Sequence, residues 1–211
     1  MKLTVFGATG GTGGHVVRQA LDAGHQVTAV VRDPAKLAIE HADLRVLTPH
    51  VTNPSALHEA LEGQDAVISA LGANGRKGVG IASAATRSIL TAMDDCGVRR
   101  FAAISAVPVG ELPDGEPFFS RAIMIPLLRA ILREVYADLA VMEKELRGSD
   151  AEWRIARPPY LTKGPLTGKY RTTIGGTVPR GTSISRADLA HAMLAMVDNP
   201  ATARQVVGVA Y

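Results

Sequence analysis

The sequence has few of the features that mark secreted, membrane-spanning or metal-binding proteins. It contains one cysteine among 211 residues, which excludes an internal disulfide. No apolar run reaches the roughly 18 residues that a membrane-spanning helix needs. The six histidines lack metal-ligand spacing, and Cys96 has no thiol or histidine partner nearby, so we expect no metal site. Met1 and Lys2 lead directly into an apolar segment without a signal-peptide pattern, so we expect a cytoplasmic protein that does not bind membranes.

Charge and common catalytic motifs are also sparse. The formal net charge is only +3 and the basic residues are scattered, which argues against nucleic-acid binding. A Gly-x-Ser-x-Gly motif is absent, which disfavours a serine hydrolase. No tyrosine precedes a lysine by four residues, although that pair transfers protons in ordinary alcohol dehydrogenases. The residues at that spacing after Tyr136, Tyr160 and Tyr170 are Ala140, Gly164 and Ile174.

Short apolar segments alternate with helical stretches along the chain. The predicted strands are 2–6, 26–31, 44–47, 66–70, 100–104, 152–156 and 205–209. Gly24, Gly63, Gly97 and Gly148 stand where helices end, at the C′ position. Several strands are apolar throughout, as expected when helices cover both faces of a parallel sheet. The pattern predicts a doubly wound, mostly parallel Rossmann sheet of three α/β/α layers, in one domain over 1–211.

The first strand runs into a glycine-rich turn and a helix start, in the order Gly7-Ala-Thr-Gly10-Gly11-Thr-Gly13. Gly7 allows a sharp turn off the strand, Gly10 removes a Cβ that would obstruct a pyrophosphate, and Gly13 permits close packing of helix and strand. The free N–H groups of the first helical turn then face the anion. This arrangement predicts a dinucleotide site.

Arg32 follows the second strand, where an enzyme that prefers NAD carries an acidic residue for the ribose 2′-hydroxyl. A guanidinium binds a 2′-phosphate instead, and Lys36 can add a second charge. Asp33 precedes Pro34 and is interpreted as a helix cap. The pair of Arg32 and Lys36 predicts NADP(H) in preference to NAD(H).

Three segments are expected to form the substrate edge, namely 72–80, 105–126 and 157–185. The apolar segment 105–126, interrupted by prolines, is interpreted either as a lid or as a core or oligomer contact. Ser105 ends the fifth strand, where related architectures place a serine beside the nicotinamide. Tyr160, after Pro158 and Pro159, can donate a proton, stack on a planar substrate or fill space, and we rank packing or stacking above acid catalysis.

These motifs resemble the NAD(P)H-binding atypical short-chain dehydrogenase/reductase family, particularly its biliverdin-IXβ reductase (flavin reductase) type and NmrA-like relatives. The residues that carry the resemblance lie in 5–13, 31–37, 64–68, 71–72, 105–106, 158–159, 165–168 and 184–189. Three positions depart from that type. Tyr160 stands where that type has a histidine, Asn74 where it has an arginine, and His50 where it has an aspartate.

The resemblance implies roles for individual residues. Thr9, Gly10, Gly11 and Thr12 would hold the pyrophosphate, and Arg32 and Lys36 the 2′-phosphate. Leu71, Gly72, Ser105 and Pro159 would lie against the nicotinamide half. It also places Gly7, Gly13, Val51 and Ala70 among the cofactor-binding residues, with Ser105 and Tyr160 as candidate catalytic residues.

The expected activity is hydride transfer from NADPH to a planar conjugated acceptor such as a flavin, quinone or bilin, by a monomer or small homo-oligomer. An NADP(H)-binding redox sensor without robust catalysis is the alternative. A sugar-nucleotide epimerase or dehydratase is disfavoured, because the chain lacks the Tyr/Lys pair and room for a substantial C-terminal substrate domain.

Overall fold

The computed structural model describes residues 1–72, 78–110 and 125–211. The strands in these ranges are β1 Lys2–Phe6, β2 Gln26–Val30, β3 Leu44–Leu47, β4 Ala66–Ser69, β5 Arg100–Ile104, β6 Glu152–Arg157, β7 Tyr160–Thr162, β8 Arg171–Ile174, β9 Ser183–Ser185 and β10 Gln205–Ala210. The α-helices are α1 Gly13–Asp22, α2 His58–Leu61, α3 Ile81–Asp95, α4 Ile125–Ile131, α5 Arg133–Arg147 and α6 Arg186–Asp198. Short 3₁₀ helices are formed by Pro34–Lys36, Pro54–Leu57, Val107–Val109 and Pro200–Thr202.

Eight strands form one sheet in the order β3-β2-β1-β4-β5-β6-β10-β8. Every neighbouring pair is parallel except β10 and β8, which are antiparallel. The chain proceeds outward from β1 to β3 and then returns to β4 on the other side of β1. This reversal places a crevice at the carboxyl ends of β1 and β4, where Rossmann sheets bind their ligands. The predicted doubly wound, mostly parallel fold is therefore confirmed.

Helices cover both faces of the sheet because the central strands are apolar on both sides. Leu3 and Val5 of β1 face the cluster that includes α1 and α6, whereas Phe6 faces the cluster formed with α2, α3 and α5. Burial of such side chains contributes about 1.5–3 kcal/mol each. The two cores hold the strand ends, and therefore the crevice, in a fixed position.

All seven predicted strands are present, with bounds that differ by one residue at most. The sequence interpretation missed β7, β8 and β9, which are short and lie in the region 157–185. Gly24, Gly63 and Gly97 have positive φ and follow the helix ends as predicted. The prediction for Gly148 is wrong, because it is the C-cap of α5 itself with φ −82°.

Two predicted substrate-edge segments lie partly outside the described residues. These are the loop with Asn74, Arg76 and Lys77, and most of the segment 105–126. The described part of the latter is a 3₁₀ turn at Val107–Val109 and the start of α4. Among the described residues, no helix has the length and apolar character needed to cross a membrane.

Candidate functional site

The glycine turn between β1 and α1 has the geometry that the sequence predicts. Gly7 has φ +74°, and the N–H of Gly10 donates to its carbonyl oxygen over 2.9 Å. A Cβ on Gly13 would lie 2.2 Å from the same oxygen, so only glycine fits there. The backbone N–H groups of Gly11 and Thr12 donate no hydrogen bond within the described residues. They are therefore available to an anion at the start of α1.

The turn lies beside the end of β4, at the point where the strand order reverses. The N–H of Ala70 donates to the Phe6 carbonyl over 3.0 Å. A Cβ on Gly7 would approach the Ala70 carbonyl oxygen to 2.8 Å. Ala70 and Leu71 are half-buried and Gly72 is exposed. The structure thus brings these predicted cofactor residues next to the turn, on the side opposite β2.

On the β2 side of the turn, Arg32 is exposed and forms no ion pair within the described residues. The Asp33 carboxylate accepts a hydrogen bond from the Ala35 N–H over 3.2 Å, which confirms its predicted capping role. Lys36 Nζ lies 3.2 Å from the other carboxylate oxygen of Asp33, and both side chains are solvated. Such surface pairs contribute little, so Lys36 can leave Asp33 for a stronger anion.

Val51 is half-buried and packs against the apolar cluster that contains Phe6 and Val30. Beside it, the His50 ring nitrogen Nδ1 lies 3.0 Å from the Thr52 hydroxyl. Both residues follow β3, at the carboxyl edge of the sheet. Their position is compatible with the predicted contact between Val51 and the cofactor.

Ser105 is held at the end of β5 by a buried ionic network. Its hydroxyl donates to the Glu143 carboxylate over 2.6 Å, and its N–H donates to the Ala156 carbonyl over 2.8 Å. Arg157 donates to both carboxylate oxygens of Glu143. Ser105 and Glu143 are each 4% exposed. The Ser105 proton is therefore directed into the protein rather than toward the crevice.

The electrostatics of this network favour an ionised Glu143. Burial alone would raise the pKa of the Glu143 carboxyl, but hydrogen bonds from Arg157 and Ser105, and the charges of Arg157 and Arg147, lower it below its ordinary value. The sequence interpretation missed Glu143 and Arg157. One signal was present, because Glu143 shares a helix face with the buried Leu139, Met142 and Leu146.

A second buried carboxylate of α5 caps the N-terminus of α3. Asp138 accepts hydrogen bonds from the N–H groups of Ala82 and Ser83 over 3.1 and 3.0 Å. An acidic side chain at a helix N-terminus satisfies its unpaired donors and complements the helix dipole. The N-terminus of α3 is thus occupied by the protein's own carboxylate.

Tyr160 lies at the start of β7, on the exit from β6. Its N–H donates to the Thr182 carbonyl over 3.3 Å. Two residues earlier, the Pro158 carbonyl accepts a hydrogen bond from the Val107 N–H over 3.1 Å. The latter bond brings the end of β5 and the double proline together. Pro159 is half-buried, whereas Tyr160 is 75% exposed. An aromatic ring this exposed is available for stacking on a ligand.

The N-cap and first residues of α6 form hydrogen bonds with the segment 165–168 and with Tyr211. The Ser185 hydroxyl caps α6 at the Asp188 N–H over 2.9 Å and donates to the Pro165 carbonyl over 3.0 Å. The fully buried Asp188 carboxylate accepts from Thr167, Gly168 and Tyr211. Burial opposes its ionisation, but these hydrogen bonds lower the pKa of Asp188 to about 2.

The sheet order and the glycine turn at the switch point define a Rossmann-fold dinucleotide-binding protein. Residues 7–200 match the NAD(P)H-binding family, and the chain belongs to this family. The NAD(P)H-binding family that the sequence resembles is thereby confirmed.

Individual relatives are distant. YwnB of Bacillus subtilis is 27% identical over 207 residues, which cover 95% of this chain and 93% of that protein. The photosystem II assembly factor Ycf39 of Synechocystis is 31% identical over 117 residues, 54% of this chain, and the match spans only 36% of Ycf39. A wide-type short-chain dehydrogenase/reductase of Veillonella parvula, solved in complex with NADP, has a TM-score of 0.82 at 20% identity, and the match covers 100% of this chain and 94% of that one. The last likeness shows the fold.

Proposed function

We propose that the protein is an NADPH-dependent oxidoreductase that passes a hydride to a planar conjugated acceptor such as a flavin or quinone. The observation that carries this proposal is the glycine turn, in which two backbone N–H groups donate no hydrogen bond within the described residues, flanked by the exposed cation Arg32. The turn fits a pyrophosphate, and the guanidinium fits a 2′-phosphate. The NADP complex of the Veillonella parvula protein, which has the same fold, is compatible with this choice.

The residues present fit a nicotinamide dinucleotide along the whole carboxyl edge of the sheet. Gly11 and Thr12 would bind the pyrophosphate through their N–H groups, with Thr9 and Gly10 beside them. Arg32 and Lys36 would bind the 2′-phosphate, and Val51 would contact the adenine side. Five residues that follow β4, β5 and β6 would flank the nicotinamide. These are Ala70, Leu71, Gly72, Ser105 and Pro159.

When bound, the nicotinamide supplies the hydride, and the protein orients the two reacting rings. The buried Ser105 would act as a positioning residue, because its hydroxyl donates a hydrogen bond to Glu143 and its backbone links β5 to β6. The exposed Tyr160 ring offers a stacking surface for the acceptor. A flavin or quinone suits this site, because such acceptors take up the hydride without a strongly acidic protein group.

The test is NADPH oxidation, followed by absorbance, with FMN or a simple quinone as acceptor. Each charged hydrogen bond to the 2′-phosphate is worth about 1.5–3 kcal/mol, so Arg32→Ala should raise the KM for NADPH about ten- to a hundredfold and change the KM for NADH little. Arg99→Ala is the matched control, since Arg99 is an exposed arginine just before β5, at the opposite edge of the sheet.

Two results would contradict the proposal. If the wild-type protein bound NADPH but oxidised it with no member of a broad acceptor panel, the reductase assignment would be lost. If Arg32→Ala weakened NADPH and NADH equally, the NADP preference would be lost while dinucleotide binding was kept.

A redox sensor that binds NADP(H) and regulates a partner is the second candidate. The direction of the Ser105 hydroxyl toward Glu143 favours it, because Ser105 does not offer its hydroxyl proton to the expected nicotinamide position. Ycf39, a relative over part of its length, is named for an assembly role rather than for a reaction. A co-purifying partner whose affinity changes between NADP and NADPH would support the sensor over the reductase.

A further inference from the structure

The side chain of Arg186, the first residue of α6, lies against the glycine turn. A Cβ on Gly11 would be 2.7 Å from Arg186 Cδ and 2.9 Å from its Nε, and the three nearest atoms to that Cβ all belong to Arg186. The side chain of Arg186 therefore occupies the space that a Cβ at position 11 would need. The sequence interpretation recognised 184–189 as a family motif but assigned no role to Arg186.

Two backbone carbonyls hold the guanidinium of Arg186. Its Nη1 donates to the carbonyl oxygens of Leu161 and Thr162 over 3.2 and 3.1 Å. Within the described residues, no carboxylate forms an ion pair with Arg186. The side chain is half-buried, so its charge is only partly compensated by water. A half-buried cation without a counter-charge is a favourable partner for an anion.

The positive field of Arg186 extends over the start of α1. Burial lowers the pKa of His15 in that first turn, and the charges of Arg18 and Arg186 lower it further. Gly11 and Thr12, whose N–H groups donate no hydrogen bond within the described residues, immediately precede that turn. Backbone donors, the helix dipole and the guanidinium thus converge on one small region.

We propose that Arg186 is a binding residue for the pyrophosphate of the dinucleotide, positioned by the two β7 carbonyls. The proposal rests on the proposed use of the glycine turn for a dinucleotide. Because NADPH and NADH share the pyrophosphate, Arg186 strengthens the binding of both. Arg32, in contrast, discriminates between them.

Equilibrium titration of the full chain with NADPH, NADH and ADP-ribose tests this role. Arg186→Ala should weaken all three about ten- to a hundredfold, by a similar factor, as expected for loss of one charged hydrogen bond. Arg186→Lys should recover part of the loss, and Arg99→Ala should change nothing. Thermal unfolding without ligand establishes that each variant is folded.

ADP-ribose separates phosphate binding from a merely structural role. It carries the pyrophosphate but no nicotinamide, so an Arg186 that only positions β7 and Tyr160 would leave its affinity unchanged. That result, or a selective loss of NADPH alone, would overturn the proposal. Failure of the wild-type protein to bind any of the three would instead overturn the proposed function itself, so the two failures are distinguishable.

A double-mutant cycle with Gly11→Ala gives a second readout. The added methyl group would displace the Arg186 side chain, so this variant should weaken ADP-ribose binding in the wild-type background. It should have a much smaller effect in the Arg186→Ala background, because the colliding atoms are gone. Additive effects of the two substitutions would contradict the proposal.

Discussion

Replacing Glu143 with glutamine should destabilise the protein by about 3 kcal/mol, because it leaves Arg157 buried without a counter-charge. The Glu143 side chain is 5% exposed and that of Arg157 is 11% exposed, so water screens the pair little. Glu143 accepts hydrogen bonds from Nε and Nη2 of Arg157 and from the Ser105 hydroxyl. Hydrogen bonds to a charged group are worth about 1.5–3 kcal/mol each, and glutamine retains only part of them.

Urea unfolding at neutral pH measures this loss. For a protein of this size, about 3 kcal/mol also corresponds to a fall of about 6–12 °C in the unfolding temperature. Glu145→Gln is the control, because Glu145 lies on the same helix as Glu143 but pairs with the exposed Arg87 of α3, and its loss should cost less than about 1 kcal/mol. A loss below about 1 kcal/mol for Glu143→Gln would refute the reasoning.

The pH dependence of stability shows which protonation state of Glu143 stabilises the folded protein. The folded-state pKa of Glu143 is lowered, so its stabilisation is present above the ordinary pKa of a glutamate and is lost as the pH falls through the folded value. The gap between wild type and Glu143→Gln should therefore shrink in acid. A gap that widened on acidification would show that the carboxylate is not the stabilising form.

Two other substitutions test the anchors of the site. Asp188→Asn should cost about 2 kcal/mol at neutral pH in urea unfolding, because the folded-state pKa is lowered from 3.8 to about 2. That contribution is present above the unfolded-state pKa and is lost as the pH falls toward about 2, so the variant and wild type should converge below about pH 4. Gly13→Ala should reduce both stability and NADPH affinity, because its Cβ would lie 2.2 Å from the Gly7 carbonyl oxygen. Unaltered NADPH binding by that variant would show that the turn can move aside.

The fold was predictable because its strongest signals are local. Strands such as β1 and β5 are apolar on both faces, Gly7 directly follows a strand and Gly13 begins a helix. The edge strands β7, β8 and β9 have three or four residues each, with several exposed side chains. Their apolar periodicity is too short to detect, and tertiary contacts hold them in place.

Polar partners distant in sequence were not predictable. Ser105 meets Glu143 across 38 positions, and Thr167 meets Asp188 across 21. Arg186 lies over Gly11 at the opposite end of the chain. Periodicity marks Glu143 only as a charge on an apolar face, and it identifies none of these partners. The predicted roles of Arg32, Ser105 and Tyr160 remain predictions about the ligand.

The start of α6 connects the two halves of the proposed site. Within one helical turn, Ser185 holds Pro165, Asp188 holds Thr167 and the C-terminal Tyr211, and Arg186 spans from β7 to Gly11. The proposed cofactor turn and the proposed acceptor edge therefore share contacts with one helix start. A dinucleotide that binds Arg186 would affect the hydrogen bonds that Arg186 donates to the carbonyls of Leu161 and Thr162. These two residues directly follow the exposed Tyr160 in the chain. On the proposed roles, the same guanidinium would couple the proposed acceptor surface to the cofactor, and we expect the cofactor to bind first.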